Sequence, residues 1–234
     1  MRAGVAKVDI TPPVGTYMCG AWTKTRSVAV HDPLYAKGLV MESGDQKVAI
    51  ITCDVLLFGE EWSTSIFQAI EEKHGIKIED IMMVPSHTHR GPYLPGDPMF
   101  GDDGAVDPLY TESAAQRIVE IVGEASEKLS PARVGCGIGT LEGFTQYRRL
   151  LLKNGLVCQS WAPHPDEDIV GPAGEPDTEV RVVKVESADG KLIAALYNFA
   201  CHADGRLRFE PREQFSADYP SVTSEMIEGR HAGA

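Results

Sequence analysis

Short segments of strand periodicity alternate along this chain with longer segments of helical periodicity, and that order limits the folds available to it. Residues 3–10, 36–42 and 47–53 have the residue pattern of β-strands. Turn residues at 43–45 separate the last two, which predicts a hairpin. Residues 59–74 repeat apolar side chains at helical spacing. Interleaved strands and helices predict an α/β fold, in which flanking helices cover a mixed β-sheet core that contains β-hairpins.

The middle of the chain combines a long irregular segment with a well-marked helix. Residues 91–108 contain eight glycines and prolines among 18 positions, together with four aspartates, so we expect a long loop there. Asp107 and Pro108 are residue types favoured at the N-cap and first position of a helix, and this helix is expected to run to about Leu129. A short buried strand over residues 81–84 precedes the loop.

The second half of the chain continues the mixture of strands and helices. Glycine-rich residues 133–141 are expected to form a strand, and residues 162–177, with five acidic side chains, an irregular segment. Residues 179–185 and 192–201 predict a second hairpin. Residues 219–228 predict a final helix, so the alternation of strands and helices extends over the whole chain.

Composition and charge disfavour several classes of function. With 22 basic and 34 acidic residues, the chain has a formal net charge of −12, which opposes binding to nucleic acid or to anionic membranes. No apolar run reaches the ~20 residues that span a bilayer, and no signal peptide precedes the first strand, so we expect a cytoplasmic protein with no transmembrane segment. Five cysteines, an odd number, suit reduced thiols. We expect one domain over residues 1–234.

Potential metal ligands follow three of the predicted strands, at the point where each strand ends. Asp54 follows the second strand of the first hairpin, and His87 and His89 follow the strand over residues 81–84. His202 comes directly after the last strand of the second hairpin. Because ligand sites of α/β sheets lie beyond the carboxyl ends of strands, these groups are expected to gather at one place.

The spacing of His87 and His89 suits a shared metal ion. In extended backbone, residues two apart face the same way, so both imidazoles can reach one ion, with His202 as a third ligand. Catalytic zinc takes three protein ligands and leaves a position for water, whose pKa it lowers from ~15.7 to ~7. A surface or hydrogen-bonded histidine pair is the alternative. The neighbouring Arg90 cation opposes metal binding unless its side chain points elsewhere.

Other polar residues have both a structural and a functional interpretation. Arg148 and Arg149 are either a solvated basic pair, or one of them holds a carboxylate or a developing oxyanion in the site. Asp218 either caps the last helix, the interpretation that we favour, or lies near a metal. The remaining histidines and three cysteines are interpreted as structural or surface residues: His31, His74, His164, His231, and Cys53, Cys136 and Cys201, the cysteines as small buried hydrophobes.

Five motifs occur in an order that resembles a known family. They are AGVAKVDITPPVG at residues 3–15, HDPLY at 31–35, SHTH at 86–89 followed by Gly91-Pro92, NFACH at 198–202 and SADYP at 216–220. The chain resembles the amino-terminal catalytic domain of the neutral/alkaline non-lysosomal ceramidase family in its compact bacterial form. The resemblance covers nearly the whole chain, and the HTH motif is its most specific part.

This resemblance implies an amide hydrolase with one zinc ion per chain, which cleaves the N-acyl bond of ceramide, or of another small-molecule or lipid N-acyl substrate, by metal-activated water. By position, His87, His89 and His202 match zinc ligands of the family, and Arg148 matches an arginine near the substrate amide. The family also takes a glutamate and a tyrosine ligand and an active-site serine from later in the chain.

The chain departs from the family pattern in ways that leave a second hypothesis open. It contains neither of the later segments, so we expect a domain that lacks its C-terminal part. Arg90 stands where the family usually has serine, Tyr147 replaces the usual asparagine before the arginine, and Ala203 replaces a proline. The alternative is therefore a non-catalytic domain that keeps only the fold and metal or ligand binding. Such a chain could form a homo-oligomer that covers exposed sheet edges.

Overall fold

The computed structural model describes residues 1–20, 23–96, 104–205 and 211–231. The α-helices are α1 (Glu60–His74), α2 (Pro108–Glu127) and α3 (Tyr219–Arg230), and short 3₁₀ turns cover Ile78–Asp80 and Asp166–Asp168. The strands are β1 (Arg2–Asp9), β2 (Tyr17–Met18), β3 (Thr25–Arg26), β4 (Ala29–Val30), β5 (Tyr35–Ser43), β6 (Gln46–Cys53), β7 (Ile81–Pro85), β8 (Ser130–Thr140), β9 (Arg149–Leu152), β10 (Val157–Gln159), β11 (Ile169–Pro172), β12 (Glu179–Ser187), β13 (Leu192–Phe199) and β14 (Gln214–Phe215). No helix among the described residues has the length and apolar character needed to cross a bilayer.

The chain divides into two compact units. The first contains residues 1–134, 185–195 and, from 202 onward, the C-terminal segment with α3. The second contains residues 135–184 and 196–201. The single domain expected over residues 1–234 would include both units, and it stays a prediction.

A mixed sheet contains the long strands of the chain, as the interleaved pattern predicts, and its strands β1, β5, β6 and β7 lie wholly in the first unit. Its strands follow the order β13-β12-β8-β1-β5-β6-β7. β5 pairs antiparallel with both β1 and β6, and the hairpin between β5 and β6 closes at Ser43 and Gln46. From β6 the chain passes through α1 to β7, which lies parallel to β6. The predicted α/β class is therefore confirmed.

Helices α1 and α2 form the main core with one face of this sheet. Strand residues such as Ala36 and Ile51 are fully buried there together with Ile70 of α1 and Ile118 of α2. Side chains alternate along a strand, so Lys7 and Lys37, which pair in register, point to the opposite face. There Lys7 Nζ contacts Glu228 Oε2 at 2.7 Å and Lys37 Nζ donates to Ser224 Oγ at 2.8 Å, which attaches α3 to that face.

The helix boundaries agree with the expected cap chemistry. Gly75 ends α1 in the left-handed region, with φ of 67°, and its N–H bonds to Glu71 O. The Asp107 carboxylate accepts from the N–H groups of Leu109 and Tyr110 and begins α2. That helix ends at Glu127, before the predicted Leu129, because Ser130 and Pro131 already belong to β8 and pair with β1.

The second unit contains structure that the sequence did not predict. Strands β9, β10 and β11 form a small antiparallel sheet, and β11 lies inside the segment predicted to be irregular. Their three or four residues are too few to show periodicity. Cys136, expected to be buried, is exposed on β8, whereas Cys53 is buried. Residues 97–103 of the long predicted loop lie outside the described residues.

The close approach of β1 to the end of α2 gives a test of the core. A methyl group on Gly4 would lie 2.2 Å from Ala125 O and within 3 Å of two further backbone atoms. Backbone atoms cannot rotate away as a side chain can, so β1 or the end of α2 would have to shift. We expect Gly4→Ala to lower the free energy of unfolding by about 3 kcal/mol. Gly135→Ala is the control, because a methyl group there meets nothing within 4 Å. Urea unfolding followed by circular dichroism measures both, and equal shifts would contradict this packing.

Candidate metal centre

The parallel pairing of β6 with β7 brings two of the predicted strand ends together. The last paired residues are Cys53 and Pro85, so both carboxyl ends lie at the same edge of the sheet. The chain beyond β7 stays beside the chain beyond β6, since Ser86 N–H bonds to Cys53 O at 2.9 Å and His87 N–H to Val55 O at 3.0 Å. The histidines of the HTH motif are thereby attached to the edge of the main sheet.

His87, His89 and His202 form one cluster in the first unit. The ring centroid of His89 lies 5.1 Å from that of His87 and 4.4 Å from that of His202, and the rings of His87 and His202 are 5.2 Å apart. One potential ligand atom from each residue lies within 4.8 Å of those of the other two. The three predicted ligands are therefore brought together.

The backbone that joins His87 to His89 is not the extended strand that was predicted. His87 adopts φ of 61°, in the left-handed region that is uncommon for any residue but glycine. Thr88 turns inward, fully buried, and its hydroxyl donates to Ser216 O at 2.6 Å. The two imidazoles converge through a turn around the anchored threonine. The prediction that both rings reach the same place is therefore met, but the extended backbone from which it was derived is wrong.

Backbone carbonyl groups orient two of the rings. His87 Nδ1 lies 2.9 Å from Leu56 O, and His89 Nδ1 lies 2.9 Å from Gly20 O. Since a carbonyl only accepts, each Nδ1 carries the proton and each Nε2 keeps its lone pair for a metal. These hydrogen bonds are the usual support of a metal-binding histidine.

The nitrogens that face one another fit a cation. His89 Nε2 and His202 Nε2 are 2.7 Å apart, a hydrogen-bond distance, so the two nitrogens share one proton. A metal ion that both rings ligate would take the place of that proton. Three convergent imidazoles are the ligand set of many catalytic zinc sites. The residues present therefore fit a zinc ion held by His87, His89 and His202.

The Arg90 side chain does not lie at the surface beside the histidine cluster. Its side chain is fully buried, and Nε donates to Gln214 O at 2.9 Å. Burial lowers the pKa of the guanidinium, while the negative charges of Asp32 and Asp218 raise it. The guanidinium therefore lies within range of two negative charges, which partly offset its repulsion of a metal ion at the histidines.

Asp54, the remaining strand-end group, lies outside the histidine cluster. Its carboxylate accepts from Tyr35 N–H at 3.0 Å, at the start of β5. Burial raises the pKa of Asp54, and the hydrogen bonds from Tyr35 and Ser86 and the charge of Lys37 partly offset that rise. The side chain fastens the end of β6 to neighbouring strands. Burial likewise raises the pKa of the Cys53 thiol, which suits a small buried hydrophobe.

The other predicted site residues have different positions. Arg148 belongs to the second unit, where its guanidinium carbon lies 5.1 Å from the ring centroid of Trp161. Asp218 caps α3, as favoured, by accepting from Tyr219 N–H at 2.7 Å. His74 and His164 bond to backbone carbonyls rather than to the cluster.

Sequence reasoning missed the groups that support the histidines. These groups are the backbone carbonyls of Leu56 and Gly20, and because every residue type has a backbone carbonyl, the sequence does not indicate them. Gly20 could have been found, since glycine is favoured where φ is positive, and its φ is 94°. A methyl group at Gly20 would lie 2.6–2.8 Å from three atoms of His89. The close contact with His89 therefore requires glycine.

Comparison with known proteins identifies relatives of the chain. The family described as "Neutral/alkaline non-lysosomal ceramidase, N-terminal" matches residues 1–232. The structure described as "Ceramidase complexed with C2" is similar with a TM-score of 0.76 at 20% identity, over 100% of this chain and 36% of that one. Neutral ceramidase from Pseudomonas aeruginosa gives a TM-score of 0.73 at 21% identity, over 99% of this chain and 36% of that one. The chain thus spans about a third of these structures.

Two glycines test the support of His89 under matched backbone conditions. Gly20 and Gly15 both have positive φ, of 94° and 99°, but only a methyl group on Gly20 would meet His89. We expect Gly20→Ala to weaken zinc binding by about 10- to 100-fold, the usual effect of disturbing a group that supports a ligand. Gly15→Ala should leave the zinc affinity unchanged. Chelator competition measures both affinities, and an equal loss in both variants would refute the role of the contact.

Proposed function

Because the chain belongs to the neutral/alkaline non-lysosomal ceramidase family, we propose that it provides the zinc-binding part of an amide hydrolase that cleaves an N-acyl bond. The single observation that carries the proposal is the convergence of His87, His89 and His202. Two of these rings are held with Nε2 available for a metal. Family membership supports hydrolysis, and the histidine geometry supports zinc as the cofactor.

The residues of the chain divide the work of such a site. His87, His89 and His202 would hold the ion through the ring nitrogens that face one another. When bound, zinc polarises a carbonyl oxygen and lowers the pKa of water to ~7. The carbonyls of Leu56 and Gly20 keep the Nδ1 protons of His87 and His89 in place and prevent those rings from rotating.

The proposed substrate is a lipid or other small molecule with an N-acyl group. Support for a ceramide comes from the family and from the structures that the chain resembles, one of which is described as a ceramidase complexed with C2. We therefore propose assays with a short-chain ceramide and with an N-acyl amino acid. Release of the acyl chain from either compound identifies the substrate class.

A second candidate function is zinc or ligand binding without catalysis. Within the described residues, the candidate metal-binding cluster consists of three histidines and includes no carboxylate. The chain also spans 36% of the ceramidase structures that it matches. Zinc binding with no hydrolysis of either test compound supports this second candidate.

Metal content tests the zinc proposal directly. We expect about one zinc ion per purified chain and almost none in the double variant His87→Ala/His89→Ala, because two of the three ligands are lost. His164→Ala is the control, since that ring bonds to Ala162 O outside the cluster. Elemental analysis after zinc loading and desalting gives the stoichiometry. A wild-type chain without zinc, or a double variant that keeps it, would refute the assignment.

The proposed role of Arg148 is to donate to the developing oxyanion of the scissile amide. It is supported by the position of Arg148 in the family pattern and by its exposure. We expect Arg148→Ala to lower kcat about 100-fold, as for the loss of one oxyanion donor. Arg149→Ala is the matched control and should retain activity. Steady-state kinetics on the substrate identified above measures both, and a kcat that is equal in the two variants would remove Arg148 from the mechanism.

A further inference from the structure

The segment Gln214–Asp218, here called the clamp segment, contacts both stretches of chain that carry the histidines. Toward the HTH motif it makes three hydrogen bonds. Thr88 Oγ1 donates to Ser216 O at 2.6 Å, Ser216 N–H donates to Arg90 O at 3.1 Å, and Arg90 Nε donates to Gln214 O at 2.9 Å. These bonds involve the residues directly before and after His89.

The same segment reaches the stretch that follows His202. Asp218 Oδ2 accepts from the N–H of Gly205, three residues after His202, at 2.7 Å. A methyl group on Gly205 would lie 2.8 Å from that oxygen, so the two groups are in close contact. His89 N–H also bonds to Ala203 O at 3.1 Å. The clamp segment and the His202 stretch are therefore joined through one carboxylate oxygen.

Asp218 holds this position in an unfavourable backbone conformation. Its φ of 61° and ψ of −152° lie in a region that is essentially restricted to glycine. Such conformations persist where the surroundings over-determine them, and they cluster at functional sites. Here Asp218 N–H donates to Ser216 Oγ at 3.0 Å, and Asp32 accepts from Ser216 Oγ and from Ala217 N–H.

We propose that Asp218 is a positioning residue, whose carboxylate sets the place of His202 relative to His87 and His89 by fixing Gly205 to the clamp segment. This role rests on the proposed zinc site, because the position of His202 matters for function when the three histidines bind zinc. Two donors face the carboxylate, Gly205 N–H at Oδ2 and Tyr219 N–H at Oδ1. The alanine side chain has no acceptor, so Asp218→Ala loses both of these bonds.

A purely structural role as the N-cap of α3 is the competing explanation. Asp107 provides the matched comparison, because it caps α2 by accepting from Leu109 N–H at 3.0 Å and Tyr110 N–H at 3.2 Å. Its backbone is ordinary, with φ of −92°, and its carboxylate serves α2 rather than the His202 stretch. Asp107→Ala therefore removes a helix cap and leaves the link to Gly205 in place.

The test compares Asp218→Ala with Asp107→Ala in the full chain. Zinc affinity is measured by chelator competition, and the histidine rings of the metal-free protein are observed in ¹⁵N–¹H correlation spectra. We expect Asp218→Ala to weaken zinc binding by about 10- to 100-fold and to shift the His202 ring signals. Asp107→Ala should change neither, although both variants lose a helix cap and should have a lower melting temperature. Equal changes in both variants, or none in Asp218→Ala, overturn the proposal.

A second variant keeps the proposal testable if Asp218→Ala folds poorly. Asp218→Gly relieves the backbone strain but also lacks the carboxylate, so it should fold and still lose zinc affinity. Retained affinity in Asp218→Gly overturns the proposal. If the wild-type chain binds no zinc, the proposed function fails instead. The His202 ring signals of the metal-free variants then decide the positioning role alone, by shifting or staying unchanged.

Discussion

The structure of the candidate centre depends on the parallel pairing of β6 with β7. That pairing places the chain after Cys53 beside the chain after Pro85, and hydrogen bonds from Ser86 and His87 extend the contact beyond the strands. The HTH motif is thus attached to the sheet that carries the core. Leu56, whose carbonyl bonds to the His87 ring, lies in the segment that follows β6. The pairing therefore positions both a candidate metal ligand, His87, and the carbonyl that orients its ring.

Two partly buried carboxylates, Asp32 and Asp218, act on the charge of Arg90, the cation next to His89 in the sequence. Arg90 would place a full positive charge next to a proposed dication, but it is turned into the protein, toward the charges of Asp32 and Asp218. Asp32 also accepts from Ser216 Oγ and from Ala217 N–H, and thereby fixes the clamp segment.

Much of the first unit could be predicted from local sequence. The alternation in β1, β5 and β6, the turn between the latter two and the capping residue Asp107 each act within a few residues, so their consequences can be read from the sequence. The three candidate histidine ligands were found from their positions after apolar strands, and the structure places them in one cluster. In contrast, the short strands β9 to β11 depend on pairing rather than periodicity, and the sequence did not reveal them. The left-handed turn at His87 is set by the burial of Thr88 against Ser216, a contact between distant residues.

The central claim is that His87, His89 and His202 bind one zinc ion together, and zinc K-edge X-ray absorption of the loaded chain tests it most directly. We predict three imidazole nitrogens at about 2.0–2.1 Å, with the outer-shell scattering of histidine rings. A spectrum with oxygen neighbours and no imidazole shell would contradict the claim, because it would place the metal away from the three rings.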